Sequence, residues 1–444
     1  MKIVIAGAGE VGSHLARLLS HEEQDIIIID DDPERIQALD RSCNLLAVIG
    51  SPTSISTLRE AIHSGCDLFI AVTPQETTNL LACMLAKSIG THKTVARIDN
   101  YEFMLPDSLR LFQNQGVDAV IYPEYLAARE ILKSLERNWV RTWFEIHGGE
   151  LIVVGIKIRE NAAIVGRSLR ELSSESHFYH LSAIKRNQET IIPRGNDHVL
   201  PNDIAYFTTT AEHIEGLRAI CGKQKLDLRK ILIMGASRIA VRLITMAGDK
   251  YRFRIIDSNA ERCQHVAELC PDARVTCGDA RSPELLVEEG ISDMDAFIAL
   301  TDSSETNILT CLTAKEYGIR KTVAEVENIQ FISQAENLNI GTIINKKLLA
   351  SSKIFQMLLD HDTESSRFMA LADADVAEIE VRHKAKITRG PVKDLGLSRD
   401  MTIAGIIRDG RGMLVDGNTE IREGDHVVVF CLASTIHKIE RLFT

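Results

Sequence analysis

Short runs of apolar residues alternate along this chain with longer segments whose apolar residues recur at helical spacing. Runs such as "KIVIA" and "DIIIID" lack the polar alternation of a half-solvated strand, and they indicate strands buried on both faces. Over the first third of the chain the pattern predicts strands near 2–6, 26–30, 45–49, 68–72, 94–98 and 118–121. It predicts helices near 11–20, 33–40, 53–62, 77–89, 101–115 and 124–136. This alternation is typical of an α/β domain with a parallel, doubly wound sheet of the Rossmann type.

The chain carries this unit twice. The segment "SGCDLFIAVTPQETTNLLACMLAKSIGTHKTVARIDN" matches "SDMDAFIALTDSSETNILTCLTAKEYGIRKTVAEVEN" without a gap, at an offset of 228 residues. A second, smaller pair of β-rich segments begins at Ser182 and Ala404. A repeat of this kind fixes the domain plan before any single element does. We therefore expect two Rossmann-type domains with parallel sheets, each followed by a small α+β module, at 1–138, 142–222, 229–352 and 366–444, with linkers at 223–228 and 361–368.

Each Rossmann copy ends in an amphipathic segment, "PEYLAAREILKSLE" at 123–136 and "NKKLLASSKIFQMLL" at 345–359. Apolar residues at helical spacing serve core packing by default. Because each segment lies between a last Rossmann strand and a small module, we interpret both as crossover helices that pack on the neighbouring Rossmann domain.

A glycine-rich turn follows the first strand. Gly7, Gly9 and Gly12 form G-x-G-x-x-G between a predicted strand and a predicted helix. In a dinucleotide-binding turn the first glycine allows the tight turn, the second lets the backbone approach a pyrophosphate, and the third lets the helix pack on the strand. The N-terminus of the helix then offers free N–H groups and a positive dipole end to the anion.

An acidic residue stands at the place where such a turn requires one. Asp30 ends the second strand, and its carboxylate is expected to accept hydrogen bonds from adenosine ribose hydroxyls. The adjoining Asp31 and Asp32 repel a 2′-phosphate, which favours NAD(H) or a plain adenine nucleotide over NADP(H). The alternative is an acidic run that merely suits the start of the next helix.

Two further candidates lie at the carboxyl ends of strands, where open α/β sheets bind their ligands. Thr73 and Pro74 follow the strand "LFIAV", and Arg97 lies within the strand "TVARI". A guanidinium there can hold a phosphate through charge-assisted hydrogen bonds. The alternative for Arg97 is an ion pair with Asp99.

The second copy keeps only part of the motif. Gly235 retains the first glycine, whereas Ser237 and Ala240 replace the second and third. Asp257 keeps the acidic position, but Glu325 stands where the first copy has Arg97, and only Arg238 offers a substitute cation. Two interpretations stay open: weaker binding of the same ligand, or a site that is structural or takes something else.

Composition narrows the class of protein. The chain has 444 residues, of which 45% are hydrophobic and 25% charged, with a net charge of −11. That charge disfavours nucleic-acid binding, and no apolar run approaches the length of a membrane-spanning helix. The nine cysteines include no C-x-x-C pair, which fits a reducing compartment. The spacing of Cys263, Cys270 and Cys277 indicates a buried thiol on a helix, one near its end and one in the next strand, and we expect no metal site.

Taken together, these segments resemble the peripheral subunits of bacterial Trk potassium-uptake systems, a family built from domains that regulate potassium conductance (RCK domains). The resemblance spans essentially the whole chain and is carried by "GAGEVG", Asp30, "GSPTSISTLREA", "AVTPQETTNLLACMLAK" and "VARI", with "GDARSPELLVEEGI" and "ALTDSSETNILTCLTAK" in the second copy. It implies nucleotide contacts in the first half at Gly7, Ala8, Gly9, Glu10, Val11, Gly12, Asp30, Thr73, Pro74 and Arg97. It implies contacts in the second half at Gly235, Ala236, Ser237, Arg238, Ile239, Asp257, Thr301 and Asp302.

The resemblance also implies a setting. The expected ligand is NAD(H), with ATP or ADP as the alternative signal. The expected partner is a membrane potassium-translocating subunit of the TrkH/TrkG kind, met at the inner face of the cell membrane by a cytoplasmic ring of Rossmann domains. Because one chain carries two such domains, a homodimer reaches a ring of four.

Two other classes of protein compete with this interpretation. An NAD-dependent dehydrogenase shares the glycine motif, but the sequence shows neither a large substrate domain nor a His–Asp or Tyr-x-x-x-Lys constellation for proton transfer. A redox-sensing DNA-binding repressor needs a basic helix-turn-helix, which the sequence does not show. We therefore expect a regulatory protein and not an enzyme.

Overall fold

The computed structural model describes residues 1–20, 24–40, 45–63, 65–175, 178–187, 189–362, 366–371, 374–432 and 442–443. Cys43 and part of the expected linker at 361–368 lie outside the described residues. The chain divides into two compact units, each made of two segments that are distant in sequence. The first unit combines 1–135 with 227–358, and the second combines 136–226 with 359–444. One unit therefore contains both Rossmann copies, and the other contains both small modules.

The first Rossmann copy contains a six-stranded parallel sheet. Its elements are β1 (Lys2–Ala6), α1 (Glu10–Ser20), β2 (Asp25–Asp30), α2 (Pro33–Asp40), β3 (Leu46–Ile49), α3 (Ile55–Ile62), β4 (Leu68–Ala71), α4 (Glu76–Ile89), β5 (Lys93–Arg97), α5 (Pro106–Asn114), β6 (Ala119–Ile121) and α6 (Pro123–Glu136). The strand order is β3-β2-β1-β4-β5-β6, so the order reverses beside β1. Ligands of doubly wound sheets bind at such a reversal.

The expected helix over 101–115 is wrong as a single element. The structure has a 3-10 turn over Tyr101–Met104 and a separate helix, α5, which begins at Pro106. Pro106 lacks a backbone N–H and forces Leu105 into an extended conformation, with φ −67° and ψ 147°. The proline therefore starts a new helix and cannot continue the preceding turn.

The first small module is an antiparallel sheet with two short helices. Its elements are β7 (Thr142–Ile146), β8 (Leu151–Lys157), α7 (Leu169–Glu175), β9 (Tyr179–Arg186), β10 (Glu189–Ile191), β11 (Ile204–Thr209) and α8 (Ile214–Ile220). The strand order is β10-β9-β11-β8-β7. An ion pair with a buried carboxylate links β9 to the residue before β11, because the Arg186 guanidinium donates to both carboxylate oxygens of Asp203, at 2.9 and 2.8 Å.

The second Rossmann copy repeats the first. Its elements are β12 (Lys230–Met234), α9 (Arg238–Ala247), β13 (Arg252–Asp257), α10 (Ala260–Leu269), β14 (Arg274–Cys277), α11 (Pro283–Glu288), β15 (Ala296–Ala299), α12 (Ser304–Glu316), β16 (Lys321–Glu325), α13 (Ile332–Asn337), β17 (Thr342–Ile344) and α14 (Lys346–Asp362). The parallel order β14-β13-β12-β15-β16-β17 matches that of the first copy. Cys263 lies on α10, Cys270 caps it and Cys277 ends β14, as expected from their spacing.

The second small module has the same topology as the first. Its strands are β18 (Ser366–Leu371), β19 (Ala374–Glu380), β20 (Met401–Arg408), β21 (Arg411–Leu414) and β22 (His426–Leu432), in the order β18-β19-β22-β20-β21. Arg408 and Asp425 repeat the pair of the first module, at 2.9 and 2.7 Å. The α/β fold class, with two parallel sheets and two small modules, is confirmed.

Helix α14 leaves its own Rossmann copy and packs on the other. Ala350 and Ile354 are buried in the core cluster that contains Ile3 and Leu15 of the first copy. The Ser351 hydroxyl donates to the backbone oxygen of Val11, at 3.4 Å. For this helix the expected crossover is confirmed, because α14 of the second copy completes one core cluster of the first. No helix among the described residues combines the length and the apolar character that a membrane span requires.

Candidate nucleotide-binding site

The three glycines of the first turn differ in whether the protein's own packing requires a glycine at that position. Gly7 adopts a φ of +109°, and a Cβ there would lie 3.0 Å from the backbone nitrogen of Thr73. A Cβ on Gly12 would lie 1.8 Å from the carbonyl oxygen of Gly7, so the helix can approach the strand only without a side chain. Gly9 has an ordinary φ, and no atom of the described residues lies within 4 Å of the position of its Cβ. The protein itself therefore requires two of the glycines, whereas Gly9 borders open space.

Asp30 holds this turn in shape. Its carboxylate is 5% exposed and accepts the backbone N–H of Ala8 at 2.6 Å and that of Asp32 at 2.9 Å. Each oxygen keeps a further lone pair for a ribose hydroxyl. Asp32, and not Asp30, accepts the N–H of Glu34 at the start of α2. Within the acidic run, Asp32 thus caps the start of α2, whereas Asp30 stabilises the glycine turn.

A buried asparagine, Asn79, holds the loop after β4. It was not predicted from the sequence as a site residue. The Asn79 Oδ1 atom accepts the backbone N–H of Thr73 at 2.9 Å and its hydroxyl at 2.7 Å. The Asn79 amide donates to the backbone oxygens of Thr73 and Arg97, at 3.0 and 2.9 Å. Asn307 makes the same four bonds to Thr301 and Glu325 in the second copy. Its recurrence in both copies was the signal available in the sequence.

A cavity of about 350 Å³ opens beside the first turn. It brings together four of the expected residues, Gly7, Asp30, Thr73 and Pro74. Its lining also includes residues that were not expected from the sequence, namely Arg35, Ser51, Pro52, Thr53, Gln75 and Thr78. The segment "SPT" follows β3 and therefore ends at the same sheet edge as Asp30, which is the signal that would have identified it.

Arg35 changes the charge balance of this cavity. Its guanidinium lies 3.2 Å from the Asp32 carboxylate and 3.9 Å from that of Asp30. An arginine beside the second strand is the group that accommodates a 2′-phosphate in NADP-binding proteins. Here two carboxylates already offset its charge, so the acidic character of this end is reduced but not reversed.

Arg97 does not line the cavity. Its Nη2 atom donates to the Asp99 carboxylate at 3.2 Å, which is the alternative that the sequence left open. Its Nε atom is buried without a hydrogen-bond partner among the described residues. Asp99 also lies 3.9 Å from the guanidinium of Arg238, in the turn of the second copy. Arg97 therefore belongs to a chain of charges that joins the two copies.

In the second copy a side chain takes the place of the open glycine. Gly235 keeps the φ of +104°, and Asp257 accepts the backbone N–H groups of Ala236 and Asn259 at 2.7 and 2.8 Å. Ser237 caps α9, because its hydroxyl accepts the N–H of Ala240 at 3.3 Å. A phosphate at this helix must compete with that hydroxyl for the free N–H groups.

Two cavities flank the second turn. The smaller, of about 280 Å³, is bordered by Gly235, Asp257, Thr301 and Asp302. The larger, of about 640 Å³, is lined by Ala236, Ser237, Arg238, Ile239 and Asp302, with Glu325, Lys346 and, from the first copy, Glu124. The ion pair of Arg262 with Asp302, at 3.1 Å, borders both. The turn of the second copy, which lacks two of the three glycines, thus borders a larger cavity than the turn of the first copy does.

The larger cavity contains two buried carboxyl groups. Glu325 is 3% exposed, and burial raises the pKa of its carboxyl to about 7, although the Lys346 ammonium at 3.3 Å opposes that shift. Glu124 is 7% exposed, and one of its oxygens has no hydrogen-bond partner among the described residues. Burial disfavours the charge of Lys346, but Glu325 and Glu327 outweigh it and raise its pKa. Lys346 therefore stays charged in this cavity.

Helix α14 ties the first turn to the second copy. Lys347, in the first turn of α14, forms an ion pair with Glu10, the first residue of α1. Lys347 also lies 2.9 Å from the Glu327 carboxylate, just beyond β16. Val11, next to Glu10, is buried and accepts the bond from Ser351. The helix that would receive a phosphate in the first copy is thus held by a helix of the second.

Two solved structures share this fold. A structure described as the GsuK channel bound to NAD aligns with a TM-score of 0.61 at 16% sequence identity, over 100% of this chain and 78% of that one. A structure described as GsuK bound to ADP aligns with a TM-score of 0.52 at 15% identity, over 81% of this chain and 70% of that one. At these identities the likeness concerns the fold.

Sequence comparison defines the family. The TrkA-N domain model matches residues 3–123 and 231–346, and the TrkA-C domain model matches residues 153–222 and 376–444. The Trk system potassium uptake protein TrkA of Azorhizobium caulinodans is 29% identical over 451 residues, which cover 100% of this chain and 98% of that protein. The two models alternate in the order in which the structure places the parallel and antiparallel sheets. The chain therefore belongs to the TrkA family, with its TrkA-N and TrkA-C domains in tandem.

Proposed function

We propose that this protein is the nucleotide-binding regulatory subunit of a Trk-type potassium-uptake system. In this proposal NAD(H) binds at the turn from Gly7 to Gly12, and occupancy of the turn gates a membrane potassium-translocating partner. The name of the Azorhizobium relative supports the potassium-uptake part. The NAD-bound state of a protein with the same fold supports the nucleotide part.

The observation that carries the nucleotide proposal is the open side of Gly9. A Cβ at this position meets no atom of the described part of the chain within 4 Å, so packing does not explain the glycine. The position lies one residue before α1, whose N–H groups and positive dipole end attract an anion. Asp30, at the end of β2, keeps lone pairs for ribose hydroxyls. Phosphate and ribose are thereby both accommodated by this chain's own groups.

The signal passes through helix α14 in our proposal. Glu10 begins the helix that would hold the phosphate, and its ion pair with Lys347 attaches it to α14 of the second copy. A ligand shifts a conformational equilibrium only as far as its affinities for the two states differ. An anion bound at the turn changes the electrostatic surroundings of Glu10, so the two ligation states favour different positions of α14.

A second candidate ligand is ADP or ATP. The cavity of about 350 Å³ lies at the end of the site that contains Asp30, where an adenosine would bind. An adenine mononucleotide needs no more than this end and the helix terminus, and a protein of the same fold has been solved with ADP. The gating role is then unchanged, but the signal becomes the energy charge of the cell.

Calorimetric titration of the purified chain with NADH, NAD⁺, NADPH, ATP and ADP tests the proposal. We expect NADH to bind, and Gly9→Val to weaken the binding at least about tenfold, because the new side chain fills the space beside the helix terminus. Gly390→Val is the matched control, since Gly390 also has no described atom within 4 Å of its Cβ position and an ordinary φ.

Each outcome of this titration is informative. Binding of ADP or ATP alone keeps the regulatory subunit but replaces NAD(H) as its ligand. Normal NADH binding by Gly9→Val removes this turn from the site. Turnover of NADH with a carbonyl substrate contradicts the regulatory function and favours the dehydrogenase.

The partner is tested by potassium uptake into cells that contain the membrane subunit and either the wild-type chain or Gly9→Val. We expect uptake with the wild-type chain to respond to the cellular NADH/NAD⁺ ratio and uptake with the variant to be insensitive to it. Equal responses from both chains contradict gating through this turn.

A further inference from the structure

Two imidazoles and a buried carboxylate converge between the small modules, at a place that the nucleotide proposal does not use. The Glu378 Oε1 atom lies 3.0 Å from Nδ1 of His147 and 3.2 Å from Nδ1 of His426. The three ligand atoms lie within 4.8 Å of one another. The two rings face each other at 5.3 Å between centroids, with 52° between their planes.

The strand pattern explains why these groups meet. Val376 and Glu378 are two residues apart on β19 and therefore lie on the same face of that strand. On the neighbouring strand β22, one face carries His426, Val428 and Phe430. The apolar members of this face are buried against the first module, in a cluster with Leu151 and Val153 among others. Glu378 and His426 therefore stand at the margin of an apolar interface, which is an unfavourable place for a carboxylate without a compensating cation.

The third group is brought in by an unusual turn. His147, Gly148 and Gly149 have φ values of 49°, 70° and 102°, so the chain turns sharply back after β7. The turn is seated closely on the second module, because a Cβ on Gly412 would lie 2.3 Å from the carbonyl oxygen of Glu150. The Gly412 N–H also donates to the Glu150 carboxylate at 3.0 Å. The position of His147 relative to Glu378 is thus fixed by backbone packing.

We propose that His147, Glu378 and His426 bind a divalent transition-metal ion of the zinc type, which joins the two small modules of one chain. Two imidazole nitrogens with one carboxylate form a ligand set that zinc accepts, with water at a fourth position. Nitrogen ligands disfavour calcium and magnesium, which take oxygen. Ligand atoms around a tetrahedral zinc ion lie about 3.3 Å apart, given bonds of about 2.0–2.1 Å, close to the two observed spacings.

The exposure of the ligands fits an ion that exchanges with solvent. The Glu378 side chain is 8% exposed, whereas those of His147 and His426 are 36% and 35% exposed. The carboxylate thus lies beneath two imidazoles that remain accessible. In binding, each neutral imidazole turns its Nδ1 lone pair to the ion and carries its proton on Nε2.

Among the described residues the site occurs once, despite the repeat. In the first module the register positions equivalent to Glu378 and His426 are Gly155 and Ile204, because Gly155 pairs with Tyr206 as Glu378 pairs with Val428. Neither residue offers a ligand. The expected stoichiometry is therefore one ion per chain.

The test is a titration of the full-length chain, freed of metal with a chelator, with Zn²⁺ in competition with a chromophoric zinc chelator. We expect one equivalent that Glu378→Gln removes or weakens at least about 100-fold, as expected for loss of one of three ligands. Glutamine has the shape of glutamate and still accepts hydrogen bonds, so this variant keeps the interface. His383→Ala is the control, because His383 also contacts a glutamate, Glu423, at 2.7 Å but forms no three-ligand group among the described residues.

Two further readouts separate a site from adventitious binding to other histidines or thiols. Because the ligands come from both modules, Zn²⁺ should raise the melting temperature of the wild-type chain but not that of Glu378→Gln. Co²⁺ bound in place of zinc should give visible absorption bands that are absent in the variant. If the wild-type chain and Glu378→Gln bind the same equivalents with equal affinity, the three residues form only a hydrogen-bonded cluster and the proposal is wrong.

Discussion

At the scale of single residues, the first glycine turn separates what the fold requires from what a ligand requires. Gly7 and Gly12 are needed by the backbone, since a Cβ on either meets a neighbouring backbone atom within 3.0 Å. Gly9 is free of that requirement. In the second copy the serine at the same position uses its hydroxyl to cap the helix. The serine thus takes up one of the N–H groups that an anion at this helix terminus would need.

Glu325 should make the stability of the Rossmann unit depend on pH. Burial raises the pKa of its carboxyl from 4.5 to about 7. Between these values the folded chain holds a proton that the unfolded chain has released, so the contribution of Glu325 to the free energy of unfolding falls as pH rises and reaches its lowest value above about pH 7. The loss is on the order of 3 kcal/mol. Urea unfolding at pH 5 and pH 8 should show that Glu325→Gln is the more stable protein at pH 8 but not at pH 5.

The control for this experiment is Glu261→Gln, because Glu261 is exposed and lines the same cavity. Its stability should follow that of the wild-type chain at both pH values. Parallel pH profiles for the wild-type chain and Glu325→Gln would show that the Glu325 carboxyl ionises normally.

Asn79 should stabilise the folded chain as well as hold the loop at Thr73 in place. Asn79→Ala removes four hydrogen bonds from a fully buried side chain and leaves the loop at Thr73 unsatisfied. We expect a loss of about 2–4 kcal/mol in the free energy of unfolding. Thr77→Ala, on the exposed face of the same helix, should change it by less than about 0.5 kcal/mol. Equal effects in denaturant titrations would contradict the role of Asn79 in holding the loop.

At the scale of elements, the sequence predicted the features that local pattern determines. Strands β1 to β6, the glycine turn and Asp30 were readable because apolar runs, glycine and a strand-end acid act within a few residues. The broken helix at Leu105 was missed although Pro106 signalled it. The larger cavity beside the second turn could not be predicted, because Glu124 and Glu325 come from different copies and line the same space only through packing of the Rossmann domains. The use of Arg97 was also undetermined, since Asp99 and a phosphate compete for the same guanidinium.

Helix α14 gives the element-scale prediction. A dinucleotide extends further past the glycine turn than a mononucleotide does, and Lys347 pairs with Glu10, the first residue of the helix after that turn. We expect that this pair weakens, without preventing, the binding of the second half of NADH at the first site. Lys347→Ala should therefore raise the affinity for NADH about two- to fivefold, the worth of a partly exposed ion pair, and leave that for ADP unchanged.

Calorimetry on Lys347→Ala and on Lys353→Ala, a half-buried lysine of the same helix, distinguishes this effect from a general loss of positive charge. Lys353→Ala should bind both nucleotides as the wild-type chain does. A weaker affinity of Lys347→Ala for NADH would mean that the lysine attracts the ligand and does not exclude it.

At the scale of the whole molecule, the repeat leaves a matching apolar residue on each Rossmann copy. Leu81 on α4 is 48% exposed, and Leu309, at the same position of the repeat on α12, is 62% exposed. Half-buried Leu85 and Leu312 lie about one turn later on the same helices. A single exposed leucine needs no explanation, but its recurrence at equivalent places fits a surface that meets another Rossmann domain, and a dimer is the smallest closed assembly with four of them.

Sedimentation of the purified chain tests this assembly. One chain has a mass of 49.4 kDa, so a dimer of about twice that mass is expected. The double substitution Leu81→Asp and Leu309→Asp places charges on this surface and should shift the protein to the mass of one chain. The free energy of unfolding should change by no more than about 1 kcal/mol. Leu338→Asp, at an exposed leucine that stands where the first copy has Arg110, should leave the dimer intact. If the double variant stays dimeric, the exposed leucines of α4 and α12 do not form the contact between chains, and this prediction is wrong.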